Sequence, residues 1–326
     1  MRGLRITGWG AALPARTVTN AELEATLDTT DAWITERTGI RERRIGGPTS
    51  VLAVEAGRAA LARAGVDPAT VNLVLVATCT PDQTMPATAA TVQDELHVRG
   101  GAMDVNAVCS GFVYALVTAA GFLATGTDRV LVIGADTMSG IVDWKDRATA
   151  VLFADGAGAV VVDAVDGPGD LLSWDLDNDG SGRHLLQADR GGFIRMDGRE
   201  VFRRAVRSTV DSASRTLDRA GIGVDDVALF VPHQANIRII EAVGQRLGLP
   251  QERTVITLDH QGNTSAGSIP LALAEAANQG RLRDGDLVLL AGFGAGMSVA
   301  SALLRWTPDG TAHPAAHPTA HPEGSP

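Results

Sequence analysis

Residues 104–126 read DVNAVCSGFVYALVTAAGFLATG: a short apolar run, one cysteine, then a long helix-forming run. The stretch Ala102 to Val108 predicts the end of a buried strand, while Phe112, Leu116, Ala119, Ala120 and Leu123 keep the spacing of an apolar helix face. Cys109 falls at the junction, beside Ser110 and Gly111. A thiol there is aimed along a helix axis from its N-terminal end, where unpaired N–H groups and the helix dipole favour the thiolate. Cys109 is therefore a candidate nucleophile near neutral pH. The alternative from residue type alone is a small buried core residue, which is how most free cysteines behave.

Outward from this unit, the helix Val51 to Ala64, Gly65 and the strand Leu73 to Ala77 precede it, and the strand Val130 to Ile133 follows. The same order recurs later: helix Val201 to Ala220, Gly221, strand Val227 to Val231, the unit HQGNTSAGSIPLALAEAANQG leading into an apolar helix, then strand Leu287 to Ala291. Gly65 and Gly221, Cys109 and Asn263, and the two later strands are each separated by roughly 155 residues, which predicts a tandem duplication. Strands alternating with helices in both halves imply an α/β fold of two mostly parallel, buried sheets layered with helices. The expected units are an N-terminal half, 1–165, carrying the cysteine, and a C-terminal half, 166–306. The Gly- and Asp-rich segment Asp163 to Arg195 is expected to form surface loops and a hairpin. Residues 307–326 repeat Ala-His-Pro at His313, His317 and His321 and read as a disordered tail, with no fixed geometry for a metal.

The duplication brings two further residues forward. His233 ends a strand in ALFVPHQANIRII, and Asn263 opens the second helix-start unit. Taken singly, each reads equally well as a satisfied core histidine or a turn residue. Three polar groups at three strand ends of one duplicated core point instead to a shared site.

Near the N-terminus a strand at Leu4 to Trp9 leads to a capped helix start, Thr19 to Leu23, and then to DAWITERTGIRERRI. Trp33, Ile34 and Ile40 alternate there with Arg37, Arg41, Arg43 and Arg44. An exposed indole among guanidiniums suits a nucleotide with phosphates, and the same pattern fits a solvated arginine face with one core tryptophan. The Gly-rich run Phe153 to Val162 is no phosphate loop, because no lysine follows and its glycines precede a strand.

At 326 residues and 45% hydrophobic, the chain can bury a large core. No apolar run approaches the roughly 18 residues of a membrane span, and the first residues lack a signal-peptide h-region, so the cytoplasm is the expected compartment. The two cysteines, Cys79 and Cys109, are too few for a disulfide framework, and neither has a metal-ligand neighbour in sequence. A net charge of −10 argues against nucleic acid or anionic lipid as a bulk partner. Any anionic partner must be met by local arginines, because Lys145 is the only lysine.

From Leu4 to Trp306 the sequence resembles the β-ketoacyl-acyl-carrier-protein synthases III, within the thiolase superfamily of condensing enzymes. WITERTGIRERRI, the Cys109 context, ADGAGAVVV, VPHQANIRII and GNTSAGSIPLAL carry the resemblance in order. It implies a thiolase-like αβαβα fold, with Cys109 as the acylated nucleophile and His233 and Asn263 as its partners. It places Trp33, Arg37, Arg147 and Asn236 where the family holds coenzyme A. Met85 stands where relatives often have a phenylalanine that crosses the dimer interface to wall the acyl pocket, and Ala295, after Gly294, where they often have another glycine of the loop beside the nucleophile. A carrier-docking patch is implied around Arg203, Arg207, Arg238 and Arg246.

The implied reaction is condensation of an acyl-CoA starter with a malonyl thioester carried on an acyl-carrier protein, in a homodimer, with no metal or redox cofactor. One alternative is acyl transfer to an alcohol or amine without decarboxylation. A hydroxymethylglutaryl-CoA-synthase-like enzyme would want a carboxylate base in the first half, for which Asp82, Asp94 and Glu95 offer no clear match. A non-catalytic acyl-binding scaffold would not need Cys109, His233 and Asn263 together.

Overall fold

The computed structural model describes residues 2–308. The chain opens with β1 (Arg2–Ala12) and a short helix, Asn20–Glu24, held by the reciprocal cap between Thr19 and Glu22. Then come α1 (Asp31–Thr38) and α2 (Thr49–Ala64), the latter closed by Gly65 at a left-handed φ of 66°. β2 (Leu73–Ala77), β3 (Gly101–Val105), α3 (Gly111–Ala124), β4 (Arg129–Thr137) and β5 (Asp155–Asp166) complete a sheet in the order β1-β5-β4-β2-β3. A second sheet follows, made of β6 (Leu171–Asn178), β7 (Val227–Pro232), β8 (Leu287–Gly294) and β9 (Ser298–Arg305) in the order β7-β8-β9-β6. Its helices are α4 (Gly198–Ala220), α5 (Ile237–Leu247) and α6 (Ser268–Asn278).

Parallel pairing holds for β2 with β3 and β4, and for β7 with β8, where helical crossovers join the strands. β5 runs antiparallel to β1 and β4, and β9 antiparallel to β8 and β6, so the sheets as wholes are mixed. Between the sheets lie α3 and α6: Phe112, Leu116 and Leu123 pack with Ile269 and Leu273 against Leu75, Val132 and Val160 of one sheet and Val231, Val288 and Leu290 of the other. This position explains the sequence of α3, which has no charged side chain because it meets protein on both flanks. α2 covers the outer face of the first sheet, and α4 and α5 that of the second. The five layers are those the sequence implied.

The expectation of mostly parallel sheets gives way to mixed ones, because β1, β5, β6 and β9 all pair antiparallel, and two further expectations change. β6 lies within the segment expected to be loops. Its residue Asp175 is buried in the sheet and paired with Arg215 and Arg219 of α4 at 2.6 and 3.1 Å, and this buried acid hid the strand from a hydrophobic pattern. The expected hairpin is present, Leu186–Gln187 against Arg195–Met196. Thr307, counted with the tail, is buried and donates its hydroxyl to Asp170. Residues 309–326, with the three tail histidines, lie outside the described residues. Among the described residues, no helix is long and apolar enough to cross a membrane.

Candidate active site

Two turns of the same shape meet at the centre of the molecule. In one, Asn106 Oδ1 accepts the N–H of Val108 at 3.3 Å, Val108 has φ 49°, and the N–H of Ser110 donates to Ala107 O at 3.2 Å before α3 begins. In the other, Asn263 Oδ1 accepts the N–H of Ser265 at 3.0 Å, Ser265 has φ 50°, and the N–H of Gly267 donates to Thr264 O at 3.0 Å before α6 begins. The repeat seen in sequence is thus written into the backbone, with its register moved. Asn106 matches Asn263, and Cys109 matches Ala266 rather than Asn263 as expected. One turn offers a thiol, the other an amide.

Cys109 is 4% exposed, within a short 3₁₀ turn ahead of α3. Burial pushes its thiol up to about 12; a hydrogen bond from Ser265 pulls the other way, and the nearby Asp136 carboxylate adds to the rise. The expected resting thiolate is therefore corrected. Burial holds the sulfur toward its thiol form, against the favourable amides at the helix start. Gly294 seals one side of it. A Cβ there would come within 2.8 Å of the Cys109 nitrogen and 3.0 Å of Ser298 Oγ, so only glycine leaves that N–H approachable.

His233 is buried at the end of β7, with its N–H on Ala291 O at 2.8 Å and its ring edge-on to Phe293, 5.5 Å between centroids. Burial lowers its pKa to about 3, so the imidazole is neutral. Its Nδ1 lies 2.6 Å from Ser268 Oγ. Asn263 is anchored through its backbone to Leu152 and Ala154. With Oδ1 committed to Ser265, the amide hydrogens on Nδ2 are what Asn263 can offer to the space it lines.

Two cavities meet at Cys109. One, of about 240 Å³, is lined by Cys109, His233, Asn263 and Phe293 and extends past Phe202 to Trp33 and Arg37. The other, of about 730 Å³, runs from Cys109 past Cys79, Met138, Ile141 and Ile194 to Ala295. Neither is lined by a carboxylate among the described residues.

At the outer end of the first cavity, the Trp33 ring has the Arg147 guanidinium 4.8 Å and that of Arg37 5.9 Å from its centroid. Arg43, expected on the same exposed face, is instead fully buried. Its guanidinium donates to Val18 O, Asn20 Oδ1 and Val151 O, and burial lowers its pKa to about 10. Asn236 caps α5 with Oδ1 and clips Arg37 O with Nδ2 at 3.0 Å, so both ends of its amide already have partners. Met85 is 82% exposed and lines neither cavity. Arg203 is paired with Glu200 and Arg207 lies 3.7 Å from Asp211, whereas Arg238 rests over Phe202 at 5.7 Å and Arg246 is exposed.

Asp136, at the end of β4, was not singled out from sequence. Its Oδ1 accepts from the N–H groups of Cys79 and Thr80 and the hydroxyls of Thr78 and Thr80 at 2.8–3.0 Å, and its Oδ2 accepts the N–H of Ala266 at 3.0 Å. An acid closing the apolar strand VLVIGAD was the available signal. Ser268, Phe293 and the cavity-lining Cys79 were missed because nothing in their local sequence marks them.

The fold and this cysteine, histidine and asparagine set define a thiolase-type layered protein. Residues 103–180 match the family model described as 3-oxoacyl-[acyl-carrier-protein] synthase III, and residues 217–306 match its C-terminal model. The chain is 50% identical over 322 residues to β-ketoacyl-[acyl-carrier-protein] synthase III of Roseiflexus castenholzii, covering 93% of this chain and 98% of the relative. The crystal structure of 3-oxoacyl-[acyl-carrier-protein] synthase III from Aquifex aeolicus superposes with a TM-score of 0.91 at 44% identity, covering 93% of this chain and all of that one. The priming β-ketosynthase of the R1128 polyketide pathway superposes at 0.90 with 38% identity, covering 94% and 97%. The chain belongs to the 3-oxoacyl-[acyl-carrier-protein] synthase III family.

Proposed function

We propose that the chain condenses an acyl-CoA starter with a malonyl thioester, carried on an acyl-carrier protein, to a 3-oxoacyl thioester, initiating fatty-acid or polyketide synthesis. The observation that carries this reading is a neutral His233 and the Nδ2 of Asn263 lining the Cys109 cavity, with no carboxylate among the described residues that line it to act as base. Names borne by the relatives, β-ketoacyl-[acyl-carrier-protein] synthase III and priming β-ketosynthase, agree with it.

In the first half-reaction, Cys109 Sγ attacks the thioester carbonyl and the carbon–sulfur bond to coenzyme A breaks. The proton given up by the thiol leaves with coenzyme A. The N–H of Cys109, with a backbone N–H of the Gly294–Ala295 loop, faces the oxyanion. The acyl chain occupies the larger cavity, and the nucleotide end lies at Trp33, Arg37 and Arg147, where rings and guanidiniums suit adenine and phosphate. In the second half-reaction, the malonyl carbon–carbon bond breaks, CO2 leaves, and its electron pair forms an enolate whose oxygen accepts from His233 and Asn263. The enolate carbon attacks the acyl-Cys109 carbonyl, and Cys109 departs as thiolate and regains a proton. These steps call for no metal or redox cofactor. Exposed Met85 suits a residue that completes the acyl cavity of a second copy in a homodimer, and exposed Arg238 and Arg246 suit docking of an acidic carrier.

The test is intact-mass detection of an acyl adduct across a panel of acyl-CoAs, run beside radiolabelled CO2 release from malonyl donors. Both are expected. An enzyme that releases no CO2 from any malonyl donor yet passes its acyl group to an alcohol or amine would be a plain acyltransferase.

A further inference from the structure

A histidine that donates from Nε2 while neutral must carry its one ring hydrogen there, and whatever faces Nδ1 decides whether it does. In a Ser-His-Asp triad the partner is a carboxylate, which can only accept and so draws the hydrogen to Nδ1. Here the partner is a hydroxyl. Ser268 Oγ, at the first position of α6 and fully buried, lies 2.6 Å from His233 Nδ1. The same oxygen faces the backbone N–H of Gln234 at 3.3 Å, a group that can only donate. Ser268 therefore accepts from Gln234, and its own hydrogen is left to give. Of the polar atoms within hydrogen-bond distance of Ser268 Oγ among the described residues, Nδ1 is the acceptor that can take it.

We infer that Ser268 is a positioning residue that sets the tautomer of His233, giving its hydroxyl hydrogen to Nδ1 so that Nε2 bears the hydrogen facing the reaction. This rests on the condensation reading for its consequence but not for its geometry. Burial keeps the ring from being protonated a second time, since the pKa of His233 is lowered to about 3. The edge of Phe293 holds the ring plane, and the His233 N–H on Ala291 O fixes the backbone that carries it. A resting Nε2–H has no lone pair to take the Cys109 proton at that atom. His233 in this tautomer serves the decarboxylation step and is dispensable for acyl loading.

The inference is tested first without any substrate. Nitrogen NMR of the full chain labelled in histidine, with the His233 signals assigned by their loss in His233→Gln, should show an unprotonated Nδ1 and a protonated Nε2. A protonated Nδ1 overturns it, whatever the enzyme turns out to catalyse. Two variants add the functional readout. Ser268→Ala should keep acyl loading within about twofold while CO2 release falls on the order of 10- to 100-fold, and its NMR signals should shift toward the other tautomer. Ser268→Thr, which keeps the hydroxyl, should recover both the tautomer and most of the CO2 release. Equal loss of loading and CO2 release in Ser268→Ala, or an unchanged tautomer, would show a merely structural serine. Absence of CO2 release in the unmodified enzyme would count against the condensation reading, and the NMR result would still decide the role of Ser268.

Discussion

Asp136 Oδ2 accepts the backbone N–H of Ala266 at 3.0 Å, joining the first sheet to the turn that carries Asn263. Ala266 is the counterpart of Cys109, so in one turn this N–H is taken by a resident carboxylate while in the other it belongs to the nucleophile. Asp136→Asn replaces one acceptor oxygen by a donor amide against groups that all donate. That leaves at least one buried donor unmatched and should cost about 1–3 kcal/mol in urea or thermal unfolding. The same change removes a negative charge that raises the Cys109 thiol, so the alkylation–pH profile of Cys109 should move to lower pH. A profile that stays in place would mean that the Asp136 charge does not reach the sulfur.

Cys109→Ser should abolish acyl-enzyme formation from every acyl-CoA, because a serine hydroxyl has no accessible ionised form near neutrality. Intact mass followed by peptide mapping decides it. Cys79 lines the larger cavity but not the one that holds His233 and Asn263, so no adduct is expected there.

Asn263→Ala separates condensation from simple transfer. Loss of the Nδ2 donor should lower CO2 release on the order of 100-fold or more, by analogy with deleted oxyanion donors, while acyl loading of Cys109 persists. Comparable losses in both assays would assign Asn263 to the turn alone.

His260, three residues before Asn263, bridges Asp259 at 2.8 Å and Glu275 of α6 at 3.0 Å. Asp259 and then Glu275 raise its pKa from 6.5 to about 10. A raised folded-state pKa stabilises fully below the unfolded value, and that stabilisation is lost as pH climbs through the folded one. Thermal stability should therefore decline between pH 6.5 and about 10, and His260→Gln should flatten that decline. An identical slope in the variant would remove His260 from the account.

Arg238→Glu tests the carrier surface. Arg238 is exposed on α5 over Phe202, a cavity-lining ring, so reversing its charge should slow encounter with a carrier-bound malonyl donor while loading from acyl-CoA continues. Equal loss of both half-reactions would argue against a separate docking surface.

The elements that sequence made legible are those whose burial is uniform or periodic, such as β2, read as Leu73 to Ala77 and found there, and α3 with its unbroken apolar surface. Cys109, His233 and Asn263 were legible because each closes a strand or opens a helix. What stayed hidden depends on contacts far apart in the chain. Arg43 looks like an exposed cation until Asn20 and Val151, 23 and 108 residues away, are seen to receive its hydrogens. Ser268 and Asp136 matter only through His233 and Ala266, and no local pattern reports a partner 35 or 130 residues distant. The register of the two turns differs by three residues from the expected one, because a roughly constant offset pairs Cys109 with Asn263, whereas the positive-φ residues Val108 and Ser265 align the backbones.

The helices held between the two sheets bear on how the molecule melts. Phe112 and Leu116 come from the first half of the chain and Ile269 and Leu273 from the second, and they close one common core with strands of both sheets. Each sheet also packs a layer of its own against its outer helices, but pulling the halves apart would strip the apolar inner face from both. Partial unfolding of one half is then disfavoured, and calorimetry should show a single cooperative transition with the van't Hoff enthalpy close to the measured heat.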